Sequence, residues 1–133
     1  MSSLKALEDE VIRALSEATD MQTDFGMPVR VLNGETGRAA FPFVRIGRHE
    51  LREDSLLEEH RISVEVFSRA GGRPEANRLT GLVANTLRTA EMSPSGINLI
   101  VFHPVFSDVF LRPDGTTFRG LLRLRAVTDV GAM

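Results

Sequence analysis

The residues best equipped for chemistry crowd into one short stretch, where His49, Glu50, Asp54, Glu58, Glu59 and His60 form the densest titratable cluster of the chain. A helical metal site sets two ligands at i and i+4, one turn apart on one face. Here the two histidines stand eleven residues apart with charged spacers between them. The stretch therefore reads as a solvated connection rather than a metal centre, with a partner-binding arm as the second reading. Ser68, His103 and Asp108 could be drawn as a Ser–His–Asp set, but no Gly-x-Ser-x-Gly elbow accompanies them. His103 follows an apolar run and precedes Pro104, where a core or sheet-edge histidine is the plain expectation. Gly71-Gly72-Arg73-Pro74 opens a helix whose amides could face an anion, yet the Walker lysine and the dinucleotide fingerprint are missing. Arg119, Arg123 and Arg125 form a cationic row, without the aromatic partners or the basic balance of a nucleic-acid surface. They are expected to pair across a sheet with Glu65 or with a neighbouring subunit. No catalytic set emerges, and neither a metal nor another cofactor is expected.

The elements that must position these residues can be placed from periodicity. Leu4, Leu7, Val11, Ala14, Leu15 and Ala18 recur at helical steps and predict an amphipathic helix, capped by Ser2 or Ser3 and ending near Thr19-Asp20. Residues 21–28, with Gly26 and Pro28, read as a loop. Short strands follow at Val29–Leu32, closed by the turn pair Asn33-Gly34, and at Phe41–Ile46, whose Pro42 places it at an edge or a strand end. Ile62, Val64 and Val66 alternate with Arg61, Ser63 and Glu65, the period of a strand with one wet face. Pro74 fits the first position of a second helix carrying Ala76, Leu79, Leu82, Val83 and Leu87. Residues 97–111 predict a strand with a bulge or break at Pro104, then a Pro113-Asp114-Gly115 turn and a last strand with Leu122, Leu124 and Ala126 on one side. The segments flanking 47–60 should pair as a hairpin, and so should those flanking Pro113-Asp114-Gly115. The expected fold is α+β: a mainly antiparallel β-sheet with two α-helices packed on one face, as a single domain over 1–133.

Composition agrees with an ordinary globular domain: 133 residues, 42% hydrophobic and 26% charged. Cysteine is absent, which excludes disulfides and thiolate sites and suits a reducing compartment. No run approaches the ~18 apolar residues of a membrane span. The first ten residues turn acidic where a signal peptide would carry an apolar core, so a cytoplasmic product is expected. Net charge is −2, but residues 1–66 carry 8 basic and 13 acidic groups against 8 and 5 in 67–133. Beside chance and solvated faces, this fits a molecule with two poles that meet head to tail. Arginine supplies fifteen of the sixteen cations, a bias of GC-rich genomes and also of interfaces. Tyrosine and tryptophan are absent, which speaks against sugar binding or base stacking.

Taken together, the opening helix, Val29-Arg30-Val31, Phe41-Pro42-Phe43-Val44-Arg45-Ile46-Gly47, Glu59–Ser68 with the Gly71-Gly72 break, and the ending Phe118–Thr128 after an aspartate turn form a pattern. The pattern resembles the tail-completion (tail terminator) proteins of long-tailed phages, and the arginine bias also suits a gene transfer agent. The resemblance implies a structural protein without catalysis: a homo-oligomeric, hexameric ring on the head-proximal end of the tail tube. Such a ring would stop tube polymerisation and join the tube to the head connector, or stopper, protein. DNA would pass through it without specific recognition. Partner-binding candidates are Glu50, Leu51, Leu56, Leu57, Glu58 and Glu59 of the acidic stretch and Arg119, Arg123 and Arg125 of the last strand. The three leucines either order on a neighbour or pack beneath their own hairpin. Assembly would take place in the cytoplasm and end in the particle. Alternatives are another neck or tail module, such as a stopper or tube protein, or a small ligand-binding or enzymatic α+β domain.

Overall fold

Apolar side chains at helical and at alternate-residue spacing meet in one layer. In a computed structural model, which describes residues 3–129 except 35, 36 and 38, Leu7, Val11 and Leu15 of α1 (Ser3–Glu17) are fully buried. So are Leu79, Val83 and Leu87 of α3 (Gly72–Thr89) to within 1%. Both triplets follow the i, i+4, i+8 spacing that lines one helix face. They pack on Val44 and Ile46, on Ile62, Val64 and Val66, and on Leu122 and Leu124. Each such side chain contributes about 1.5–3 kcal/mol relative to exposure. Ser2, one of the two expected caps, lies outside the described residues.

The strands are β1 (Val31–Asn33), β2 (Phe43–Asp54), β3 (Leu57–Ser68), β4 (Asn98–Leu111) and β5 (Phe118–Asp129), in the sheet order β1-β2-β3-β5-β4. Only β1 runs parallel to its neighbour β2; the other pairings are antiparallel. The α+β expectation therefore holds, with a mixed sheet. β5 inserts between β3 and β4, so β3, α3 and β4 form a split β-α-β unit. The register of β4 slips between Leu99 and Val101 and again between Pro104 and Phe106, at the bulge that Pro104 predicts.

Three expectations change. Residues 21–28 are not all loop: α2 (Thr19–Phe25) is a third helix. Met21 and Phe25, one turn apart, are both fully buried, but seven residues are too few to show a period. Arg78 of α3 holds it with two hydrogen bonds to Asp24, at 2.8 and 3.1 Å. The first strand begins at Val31, not Val29, and the second at Phe43, just past Pro42. The charged connection 47–60 is itself strand, because β2 and β3 continue to a two-residue turn at Ser55-Leu56, where Ser55 takes φ +54°. Toward this turn the hairpin becomes largely exposed, so the half-buried alternation that identifies a strand fades.

Glu10 ties α1 to the segment after α3. Its carboxylate accepts from Arg13 and, at 2.6 Å, from the Ser93 amide, and Arg13 donates to the Glu91 carbonyl at 3.0 Å. Close approach of β5 to α3 depends on a glycine. A Cβ added at Gly120 would stand 1.9 Å from Thr80 Oγ1 and 3.1 Å from Thr80 Cβ. Gly120→Ala should cost about 1–3 kcal/mol in urea unfolding. Gly81→Ala, adjacent on α3 with nothing within 4 Å, should instead stabilise by about 0.5–1 kcal/mol.

Candidate assembly surface

With the helices on one face, the other face of the sheet is open, and arginines layer over it. Glu65, 2% exposed, lies among them. Arg45 Nη2 approaches its Oε1 at 2.6 Å, and Arg119 pairs with its Oε2. Gly47 leaves the room for this carboxylate, since a Cβ there would lie 2.9 Å from Glu65 Oε1. Arg45 and Arg112 stack over Phe67 at 5.2 and 5.5 Å, Arg119 over Phe110 at 5.3 Å, and Arg123 over Phe106 at 5.2 Å. Each such contact adds about 0.5–1 kcal/mol at an exposed site. The arginine row thus does have aromatic neighbours, contrary to the expectation. Phe106 and Phe110 come from β4, aligned by pairing with β5, and nothing in the residues 118–129 themselves announces them.

The acidic stretch divides by strand face. Glu59 points to the open face and accepts from Arg125 Nε at 2.6 Å, which holds its carboxyl below the usual range. Arg125 and Glu59, proposed as partners between copies, meet within one chain instead, and Arg119 pairs with Glu65 as one of the two expectations had it. Glu58 turns inward, 8% exposed, and accepts from the Thr128 hydroxyl at 3.2 Å. Leu51 is half-buried, while Leu56 is 68% and Leu57 43% exposed at the turn. Glu50 is exposed beside Arg48 at 3.0 Å. The candidate residues therefore fall at two ends of the sheet: Glu50, Leu56 and Leu57 by the hairpin tip, Arg119 at the opposite end, Arg123 and Arg125 between.

A buried polar chain went unseen in the sequence. Glu8 Oε2 lies 2.7 Å from His49 Nδ1, His49 Nε2 lies 2.8 Å from His60 Nδ1, and His60 Nε2 lies 3.1 Å from Thr128 Oγ1. A carboxylate accepts, so His49 Nδ1 donates to Glu8. The hairpin register sets His49 opposite Ile62 and Leu51 opposite His60, which puts both rings on the helix side. Knowing the turn at residues 55–56 would have been enough to pair them. Burial, reinforced by His49, lowers the His60 pKa to about 4. Among the described residues no group of three or more His, Cys, Asp or Glu is arranged to hold a metal ion.

The other catalytic candidates separate. Ser68 is buried and donates to Glu75. It pairs with Phe118 at one end of β5, whereas His103, exposed on the edge strand, pairs with Arg125 toward the other. Asp114 organises the β4–β5 turn, accepting from the Thr117 hydroxyl at 2.6 Å and from the Thr116 and Thr117 amides. These bonds, led by the Thr117 hydroxyl, hold its carboxyl at about 2. The turn should keep its full stability above the ordinary carboxylate value and lose it as pH falls through about 2. Asp114→Ala should speed amide exchange at Thr116 and Thr117 at neutral pH.

Comparison with known proteins places this arrangement. A family model described as tail completion protein gp17 matches residues 9–129. A chain in the virion of a native gene transfer agent (GTA) particle is similar over 97% of this chain and 99% of that one, with a TM-score of 0.83 and 18% identity. The gp17 protein of bacteriophage SPP1 is similar over 93% and 89%, with a TM-score of 0.65 and 20% identity. These two likenesses concern the fold. No curated protein matches.

Proposed function

The chain belongs to the tail completion protein gp17 family, structural parts of phage tails rather than enzymes, and from that premise we propose that it terminates the tail. In this reading copies of the chain close into a hexameric ring on the head-proximal end of the tail tube. The ring stops tube polymerisation and presents the surface to which the head connector or stopper protein attaches. DNA passes through the ring without base recognition. The chain assembles in the cytoplasm and is retained in a phage or gene-transfer-agent particle, a setting that the likeness to the GTA virion chain supports.

The observation that carries this reading is the placement of exposed apolar side chains. Leu56 and Leu57 protrude at the hairpin tip, and Ile100, Val105, Phe106 and Leu111 lie along the edge strand β4. Large apolar groups gathered at a tip and an edge fit a chain that covers them with other subunits. The proposed contact residues are Glu50, Leu51, Leu56 and Leu57 by the tip and Arg119, Arg123 and Arg125 on the open face. Glu58 and Glu59 support the tip through their bonds within the chain.

Tail length in particles from a strain lacking this gene tests the reading. Electron microscopy should show overlong or broadly distributed tails detached from heads. Tails of normal length on filled heads would overturn it. Normal tails that only fail to join heads would indicate a stopper instead.

A further inference from the structure

The two ends of the sheet are chemically complementary. At the hairpin tip, Glu53 and Glu58 stand directly opposite one another, Asp54 follows, and the turn lifts Leu56 and Leu57 into solvent. Like charges opposed across a strand pair are destabilising. Glu58 is bonded inward to Thr128, while Glu53 and Asp54 are exposed and have no ion pair among the described residues. At the other end of the sheet, Phe41, Phe43 and Phe67 floor a pocket rimmed by Arg45, Arg69 and Arg112. Phe43 stacks on Phe67 at 4.9 Å, and Arg69 lies 4.1 Å over Phe41. This end has more cation than its own carboxylates balance. Glu65 is shared between Arg45 and Arg119, Asp114 stands 3.9 Å from Arg69, and among the described residues the Arg112 side chain has only its contact over Phe67. Arg119 Nε is buried without a hydrogen-bond partner among the described residues.

We infer that the hairpin tip of one copy docks into the arginine–phenylalanine pocket of the next, its leucines against Phe41, the partly exposed ring of the three, and its carboxylates on the rim. The inference rests on the ring proposed above and names the contact that would close it. The two ends are a strand length apart, 12 residues in β3, about 40 Å at 3.3 Å per residue. The tip therefore cannot reach its own pocket, and the occupant is a second copy. Each copy has one tip and one pocket, the heterologous pair that a cyclic ring requires. Arg112 lies over the Phe67 ring with no carboxylate partner among the described residues, which leaves its guanidinium for an acidic, apolar-tipped segment.

The chain contains no cysteine, so a designed pair reports the contact without background. Leu56→Cys combined with Pro113→Cys, at the pocket rim, should cross-link in assembled tails with a short bis-maleimide into a ladder ending at the closed ring. Neither single variant should give multimers beyond a dimer. As a second measurement, Asp54→Arg or Arg112→Glu alone should weaken ring formation by about tenfold or more, and the two together should restore it, since each single change sets like charges face to face. No ladder and no charge-swap rescue, with a ring still visible at the tube end, would overturn the contact while leaving the terminator reading intact. Cross-linking of Leu56→Cys to a different tail protein would overturn it as well. Absence of any ring on the tube would take both down together.

Discussion

Replacing Glu65 with alanine should lower folding stability by about 3–5 kcal/mol, the usual cost of removing one partner from a buried ionic cluster. The carboxylate is 2% exposed and holds Arg45 and Arg119, whose side chains are 31% and 29% exposed. Without it the two cations face each other on the open face, at the end of the sheet away from the hairpin tip. The penalty comes from leaving them uncompensated, not from the net worth of the pairs, so removing the whole cluster should be milder. The triple variant Arg45→Met, Glu65→Leu, Arg119→Met is expected to retain more stability than Glu65→Ala alone. Urea unfolding followed by circular dichroism would read both. A midpoint for Glu65→Ala close to the native one would show that water already solvates the site.

Acid should unfold the protein earlier than its carboxylates alone would dictate. His60 is fully buried on β3 and faces His49 from β2, Glu58 from β3 and Thr128 from β5, with Glu8 of α1 beyond His49. Its pKa falls from 6.5 to about 4. A histidine lowered in the folded state remains neutral there while the unfolded chain takes up a proton. Its cost is therefore absent above pH 6.5, grows as pH drops toward 4, and reaches about 3 kcal/mol before levelling off. The paired carboxylates Glu10, Asp24 and Glu59, all held below their ordinary values, add losses at lower pH. His60→Gln should flatten the stability curve between pH 6.5 and 4.5 and leave the more acidic limb in place. A variant that retained the native slope across that window would assign the loss to other groups.

The two predictions draw on residues that were legible to different degrees. Glu65 stood in the clearest strand, and its pairing with an arginine of the last strand was one of two expectations, the other being a neighbouring subunit. What could not be read was that Gly47 would open a space for its carboxylate or that Phe67, Phe106 and Phe110 would lie beneath the arginines. His49 and His60 were visible only as members of a charged run. Their contact depends on the turn at Ser55-Leu56, a pair without the glycine or asparagine that normally marks a hairpin. The helix α2 was hidden for a similar reason, since two buried residues one turn apart do not establish a period.

By itself, the sequence determined the class and order of the elements other than α2, though not how far β2 and β3 extend. Periodicity in Leu7, Val11 and Leu15, in Leu79, Val83 and Leu87, and in Ile62, Val64 and Val66 is a local consequence of which side chains must leave water. It also determined the resemblance to tail-completion proteins, carried by the ensemble of segments. The tertiary structure alone decided which charges are paired within the chain and which are not. Glu59 with Arg125 and Glu65 with Arg45 and Arg119 are joined by strand register. Glu53, Asp54 and Arg112 are left outward at opposite ends by the same register. Pairing at a distance of tens of residues depends on how strands align, and alignment is a property of the packed sheet that no short window of sequence contains.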